Sequence, residues 1–213
     1  MSIWFTSDLH IGHKNIAGPT CSNWDSGYRT FDSIEEHDKT ILDNINSYVE
    51  PDDTLYILGD ITFKSKQHLS AIIARINCNN IHLLIGNHDN ALRKIRKDAH
   101  SYKTYTTFFN KVKSINDYLK IKITQDTIPN PEQYRLVLFH YPIGSWDGMY
   151  RNSIQLHGHS HNSYTPKGKQ LDVGVDSAYH LFNEYRPFSL QDIIDITSTK
   201  QIDYTIDNQD QHD

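Results

Sequence analysis

Ile81-His82-Leu83-Leu84-Ile85-Gly86-Asn87-His88-Asp89 is the stretch on which the fold turns. Its first five residues form a short apolar run, which reads as a buried strand. The run ends at a glycine followed by an amide, an imidazole and a carboxylate. Open α/β sheets place their chemistry at such strand ends, so the stretch predicts an α/β protein with polar, ligand-bearing loops at the edge of a sheet.

Four further strand-like segments end in the same way. Ile3-Trp4-Phe5-Thr6-Ser7 leads into Asp8-Leu9-His10. With 13 His in 213 residues, Asp-x-His is expected about once by chance, yet it occurs three times, so position has to choose among them. Asp98/His100 closes a basic, helical-looking stretch and Asp210/His212 lies in a polar tail; both read as solvated surface. Asp8 and His10 are two apart on extended backbone, which puts their side chains on one face, able to grip one ion. Thr54 to Leu58 precedes Gly59-Asp60, where the glycine permits a sharp bend and a close approach. A carboxylate there can offer an oxygen to each of two ions. Tyr134 to Phe139 ends at His140. Ile154-Gln155-Leu156-His157-Gly158-His159-Ser160-His161 holds two overlapping His-x-His pairs, and spacing alone does not choose between His157/His159 and His159/His161.

Composition narrows the class. The net charge is −5 and there is no long basic stripe, which disfavours a nucleic-acid groove. Arg93-Lys94-Ile95-Arg96-Lys97 is the exception, read as a solvated helix face with a polyanion contact as its alternative. Cys21 and Cys78 lack metal spacing and imply no disulfide, which suits a reducing cytosol. No apolar run approaches the roughly 20 residues of a membrane span, and the chain opens directly on a strand, so a cytoplasmic protein is expected.

The local signals favour one α/β unit over residues 1–207 and a disordered tail over 208–213. Ser33-Ile34-Glu35-Glu36 is a capping box opening a helix with apolar positions Ile34, Ile41, Leu42 and Ile45. A second helix is expected over Gln67 to Ile76. Lys111 to Thr124 reads as two short strands joined at Asn116-Asp117, Asp126 to Gln133 as a loop, and Leu171 to Val175 as a strand. Ser189-Leu190-Gln191-Asp192 opens a short helix.

Together, Asp8-x-His10, Gly59-Asp60, Gly86-Asn87-His88-Asp89, His140 and Gly158-His159-Ser160-His161 resemble, block by block and in order, the signature of the calcineurin-like metallophosphoesterases. The local text Asp8 to Asn15, Val173-Gly174-Val175-Asp176 and Tyr185-Arg186-Pro187 resembles a branch of small stand-alone bacterial and phage members. The resemblance implies a four-layer αββα sandwich, two packed mixed β-sheets flanked by helices. It also selects His159 and His161 as the ligand pair, leaving His157 a supporting role. By the same resemblance one divalent ion is held by Asp8, His10, Asp60 and His161, and a second by Asp60, Asn87, His140 and His159. Mixed nitrogen and oxygen donors without thiolate suit Mn, the first expectation, or Fe, Zn or Ni.

The implied reaction is hydrolysis of a phosphodiester, nucleotide-like in the first reading, or of a small phosphomonoester. A metal-bridging hydroxide attacks in line, and His88 protonates the leaving oxygen while Asp89 hydrogen-bonds its imidazole. Substrate contacts are sought among His13, Arg29 and Arg186, with Asn15, Tyr141, Trp146 and Arg151 also near the motifs. For Arg29 and Arg186, pairing with a protein carboxylate is the competing reading. The partner is then a small phosphorylated molecule, with neither membrane nor nucleic acid expected; oligomeric state is not legible. A nuclease is the alternative enzyme, and a non-catalytic scaffold of the same fold the alternative class.

Overall fold

The computed structural model describes residues 1–24, 26–98, 101–125 and 132–201. His100, Asp210, His212, most of the loop expected from Asp126, and the 208–213 tail lie outside them. The strands are β1 (Ile3–Thr6), β2 (Thr54–Ile57), β3 (Asn80–Leu84), β4 (Val112–Asn116), β5 (Tyr118–Gln125), β6 (Glu132–Phe139), β7 (Ile154–His157), β8 (Gln170–Asp172) and β9 (Phe188–Ser189). The helices are α1 (Lys14–Ala17), α2 (Ile34–Tyr48), α3 (Lys66–Arg75), α4 (Asn90–Lys97), α5 (Ser101–Thr104), α6 (Thr106–Lys111), α7 (Val175–Phe182) and α8 (Leu190–Ser198), with a 3₁₀ turn at Met149–Arg151.

The strands form two mixed sheets, β4-β3-β2-β1-β9 and β5-β6-β7-β8. In the first, β1 to β4 are parallel and β9 runs antiparallel beside β1. In the second, β6, β7 and β8 are parallel and β5 is antiparallel to β6. The two strands expected on either side of Asn116-Asp117 are both present, but they do not pair. β4 adds to β3 of the first sheet and β5 to β6 of the second, so this connection carries the chain from one sheet to the other.

Alternating side chains explain the layering. Phe5, Leu58 and Leu84 pack with Leu136, Leu138, Ile154, Leu156 and Leu171 in a core between the sheets. Leu55, Ile57, Ile81 and Leu83 instead meet Ile41, Leu42 and Ile45 of α2, Leu69, Ile72 and Ile73 of α3, and Leu92 and Ile95 of α4. On the second sheet Val137 lies under Trp146 and Met149.

Several local signals act as read. Ser33 Oγ accepts the Glu36 N–H, although the Glu36 carboxylate reaches the Asp32 N–H rather than closing the box on Ser33. At α8 the box is complete, Ser189 and Asp192 each accepting the other's backbone N–H. The expected strand Leu171 to Val175 is shorter, because Val175 already begins α7 behind Gly174. No helix among the described residues is long and apolar enough to cross a membrane.

The level register of β1, β2 and β3 (Trp4 opposite Leu55, Leu55 opposite Ile81) brings the carboxyl ends of these strands to one edge. A single bridge between Ser7 and Gly174 places the end of β8 against the end of β1. The loops following β1, β2, β3, β6 and β7 therefore converge.

Candidate metal centre

Backbone conformation is the first sign that these loops are specialised. Asp8, His10, Asp60, His159 and His161 all have positive φ, between 46° and 65°. They are five of the eight non-glycine residues with positive φ among those described. Left-handed backbone at a non-glycine residue is costly, and such strain concentrates at functional sites. Two glycines make the convergence possible. A Cβ at Gly59 would meet the Gly86 backbone and His140 Nδ1, and one at Gly158 would collide with Ser7 Oγ and Asp8 Oδ2.

The side chains meet in two overlapping groups, Asp8/His10/His161 and Asp8/Asp60/His140, the donor atoms of each lying within 4.8 Å of one another. His10 Nε2 is 3.8 Å from both Asp8 Oδ1 and Asp60 Oδ2. His161 Nε2 stands 4.0 Å from Asp8 Oδ1, and His140 Nε2 stands 3.6 Å from Asp60 Oδ2. Asn87 Oδ1 lies 2.9 Å from both His140 Nε2 and His159 Nδ1. Asp60 Oδ1 accepts the His88 N–H, so Oδ2 is the oxygen that faces both groups.

The fit to a cation rests on orphaned atoms. Asp8 Oδ1 and His10 Nε2 are buried without a hydrogen-bond partner, though both are polar and aimed at the same space. Buried polar groups are seldom left so, because desolvation without compensation costs a few kcal/mol each. Burial pushes the Asp8 carboxyl well above its usual range, helped by Asp172 and Asp60 and opposed by His161. Burial likewise pushes His10 down, with Arg29 adding to it. A divalent ion would reverse the first effect and take up the lone pair that the second leaves free. The donors are carboxylate, amide and imidazole, a set suited to a transition-metal dication.

Around these donors lies a supporting layer. His140 Nδ1 bonds the Leu58 carbonyl at 2.7 Å, which leaves Nε2 directed inward. His161 Nδ1 lies 2.6 Å from Asp176 Oδ2. Burial alone would lower His161, but its hydrogen bond to Asp176 and the charges of Asp8 and Asp176 raise it. Asp176 itself is held far below the usual carboxylate range against the effect of burial, chiefly by Arg29. Asp172 accepts from Ser160 Oγ, Asn162 N and Gly174 N, fixing the loop that bears His159 and His161. His157 is buried behind this loop, its Nδ1 by the Gly158 carbonyl.

Three sequence expectations need correction. Asp89 does not hydrogen-bond the His88 imidazole. Its Oδ2 accepts the Asp60 and Gly86 N–H groups and its Oδ1 the Ile61 N–H, so it braces the loop after β2 against the loop after β3. Arg29 is not a phosphate contact. It is buried, forked onto Asp176 through Nε and Nη2 at 2.7 Å each, and donates to the Asp8 and Leu9 carbonyls. Arg186 is likewise engaged, bidentate on Asp192 and stacked over Phe182. In both arginines carboxylate pairing has won, because each guanidinium is enclosed by a carboxylate and carbonyls of the fold.

Of the remaining candidates, His13 stays at the mouth, its ring 5.6 Å from that of His10. Tyr141 packs on His159 at 4.6 Å, whereas Trp146 is buried with its Nε1 on the Ser153 carbonyl. In the basic run, Arg93 donates to the Gly86 and Asn87 carbonyls and Arg96 pairs with Asp117. Asp176, Phe63 and Tyr28 are site residues to which sequence reasoning gave no role. Asp176 follows β8 and could have been found by the strand-end logic applied elsewhere. Phe63 and Tyr28, ring-packed on His88 and His161, carry no such signal.

The comparisons with known proteins agree with this geometry. The family model described as calcineurin-like phosphoesterase matches residues 1–165. The chain is similar to the Gene 66 protein of Mycobacterium phage L5, 30% identical over 191 residues, 82% of this chain and 86% of the phage protein. It is 25% identical to an uncharacterized protein of Methanocaldococcus jannaschii over 97% of each chain. A crystal structure of a protein of unknown function from Aquifex aeolicus superposes with a TM-score of 0.56 at 21% identity, covering 92% of this chain and 98% of that one, a likeness of fold. With the motif-bearing segments inside the matched span and Asp/His clusters able to bind divalent metal at their meeting point, the chain belongs to the calcineurin-like phosphoesterases, a family of metal-dependent phosphoester hydrolases.

Proposed function

We propose that the protein is a two-metal phosphoesterase acting on a small phosphodiester, nucleotide-like in its ester group, with activity on simple phosphomonoesters. The observation that carries this reading is the position of Asp60 Oδ2. It is within 4.0 Å of the Nε2 atoms of His10, His88 and His140, between a donor group on the Asp8 side and another on the Asn87 side. One ion would be held by Asp8, His10, Asp60 and His161, the other by Asp60, Asn87, His140 and His159. Mn is the favoured occupant, with Fe, Zn or Ni accommodated by the same donors. When bound, two such ions supply Lewis acidity toward phosphoryl oxygens and lower the pKa of water enough to furnish a nucleophile at neutral pH.

The chain's own residues do the rest. His88 is bound through its backbone to Asp60 Oδ1, and its side chain is 42% exposed, with Nε2 directed toward the centre. Its ring is free to deliver a proton to the leaving oxygen, a contribution typically worth about 10²–10⁴-fold. His13 stands on the same side of the mouth and contacts the substrate there. With Arg29 and Arg186 committed to the fold, the phosphate is recognised without an arginine from this pair. Tyr28 and Tyr141 border the donors with aromatic surface, which favours a planar ester group. Nucleic acid is disfavoured, since the strongest basic run spends Arg93 and Arg96 on internal contacts. The two free cysteines suit a reducing, cytoplasmic setting.

The test is a stripped and Mn-reconstituted pair of samples run against cyclic nucleotides, dinucleotides and aryl mono- and diesters. Activity is expected in the reconstituted sample alone. Full activity after complete chelation would defeat the reading.

A further inference from the structure

His88 lacks the orienting group that its chemistry calls for. The neighbouring Asp89 carboxylate is spent on three backbone N–H groups, and among the described residues no side chain hydrogen-bonds the His88 ring. The nearest carboxylate oxygen, Asp60 Oδ2, is 4.0 Å away. What touches the ring is Phe63, with centroids 4.1 Å apart and planes at 33°. The same phenyl packs on His13 at 4.2 Å and lies 5.6 Å from the ring of His10. Yet Phe63 is 42% exposed and belongs to neither sheet core. A phenyl left that exposed does little for stability.

The segment bearing Phe63 is nonetheless firmly placed. It follows Asp60 and Ile61, whose N–H groups are held by Asp89, and Thr62 Oγ1 donates to the Ile11 carbonyl while accepting the Lys64 N–H. A loop held by its backbone hydrogen bonds thus presents a phenyl to an imidazole that has no hydrogen-bond partner among the described residues.

We propose that Phe63 is the positioning residue of His88, its ring packing against the imidazole and restricting the orientations from which the proton is delivered, the role that the sequence suggested for Asp89. Packing of this kind limits the rotation of the ring without requiring a hydrogen bond to it. The inference rests on the reading of His88 as the proton donor.

Two measurements test it, both on the full chain. The first is the ¹H–¹³C signal of the His88 ring, assigned by comparison with His88→Ala. A ring-current displacement is expected in the native protein and in Phe63→Tyr, and its loss in Phe63→Leu and Phe63→Ala. An unchanged His88 signal in Phe63→Ala overturns the proposal. The second is leaving-group dependence in the Mn-loaded enzyme. Phe63→Ala should lower kcat about 10–100-fold on an alkyl ester, part of the general-acid effect, and under about 3-fold on a p-nitrophenyl ester, whose departure needs no proton. In a His88→Ala background Phe63→Ala should add nothing.

Equal losses on both esters, or a loss confined to KM, would make Phe63 a substrate contact and overturn the positioning role while leaving His88 in place. A His88→Ala variant indifferent to the leaving group would remove the reading of His88 itself, and with it the role of Phe63. Rescue by Phe63→Tyr supports the proposal.

Discussion

On the Asp8 side of the centre, His161 is backed by the Asp176 carboxylate at 2.6 Å, and Asp176 is in turn gripped by the buried Arg29. On the Asn87 side, His140 is backed only by the neutral Leu58 carbonyl, and the donor that it shares with His159 is an amide. Asp8 lies close to both sides, grouped with His10 and His161 and also with Asp60 and His140, but the ion pair of Asp176 and Arg29 stands behind His161. Arg29 also reaches the Asp8 and Leu9 carbonyls, so one guanidinium fixes the backbone of one donor and the side-chain partner of another. A carboxylate behind an imidazole fixes its orientation and raises its basicity, and a carbonyl does so more weakly. The centre is thus supported by a charged pair behind His161 and by a neutral carbonyl behind His140.

The sharpest way to break this contrast is Arg29→Ala. The Asp8 side would lose its brace and a buried carboxylate would be left half paired, a change that costs about 3–5 kcal/mol when such pairs are broken. Chemical denaturation of the metal-free protein should show that loss, with no comparable effect from any single truncation on the Asn87 side. A change within about 0.5 kcal/mol, as at an ordinary surface site, would mean that Arg29 is not the brace inferred here.

Next in size is Asp176→Asn, which keeps a hydrogen-bonding group behind His161 but removes its charge. Second-layer substitutions of this type cost about 10–100-fold in metal affinity. Calorimetric titration of the stripped variant with Mn should show one binding step weakened by that factor and the other unmoved. Two equally weakened steps would show that the halves are not separately supported.

How much of this contrast could be read from sequence follows from the range of each interaction. The donors sit in short motifs directly after apolar runs, and the level register of parallel strands brings such positions together, so their convergence was legible. Arg29 and Asp176 are 147 positions apart, and neither local pattern names the other. The role given to Asp89 went to the nearest histidine in sequence, whereas its hydrogen bonds reach back 28 and 29 residues to Ile61 and Asp60. Alternation identified the strands around Asn116-Asp117 but carries no information on which sheet each joins. Phe63 is a lone exposed phenylalanine after a motif, with no periodicity to mark it.

A third substitution works in the opposite sense, making the halves more alike. Asn87→Asp puts a carboxylate where the neutral amide lies against His140 and His159. The weaker Mn step should tighten about 10-fold, the scale set by one well-placed charge of roughly 1.4 kcal/mol. The hydrolytic rate should fall meanwhile, because a more neutralised centre stabilises developing phosphoryl charge less. Tighter binding with an undiminished rate would show that the neutrality of Asn87 has no catalytic purpose.

The smallest effect separates the halves by pH alone, in the metal-free protein. Asp176 is depressed far below its ordinary value of 3.8, so its stabilising contribution is complete above that value and is lost as pH falls toward the folded value. His161 is raised above its ordinary value of 6.5, so its contribution is complete below 6.5 and is lost as pH rises through the folded value. The pair should therefore stabilise the stripped protein most between the two ordinary values, 3.8 and 6.5, with a contribution to the melting temperature that declines on both sides. Asp176→Asn should flatten both limbs, the difference amounting to about 2–4 °C for each kcal/mol involved. His140 is backed by the Leu58 carbonyl instead of a carboxylate, and His140→Gln should leave the acid limb unchanged. If the acid limb vanished equally in both variants, the charge behind His161 would not be what distinguishes the two halves.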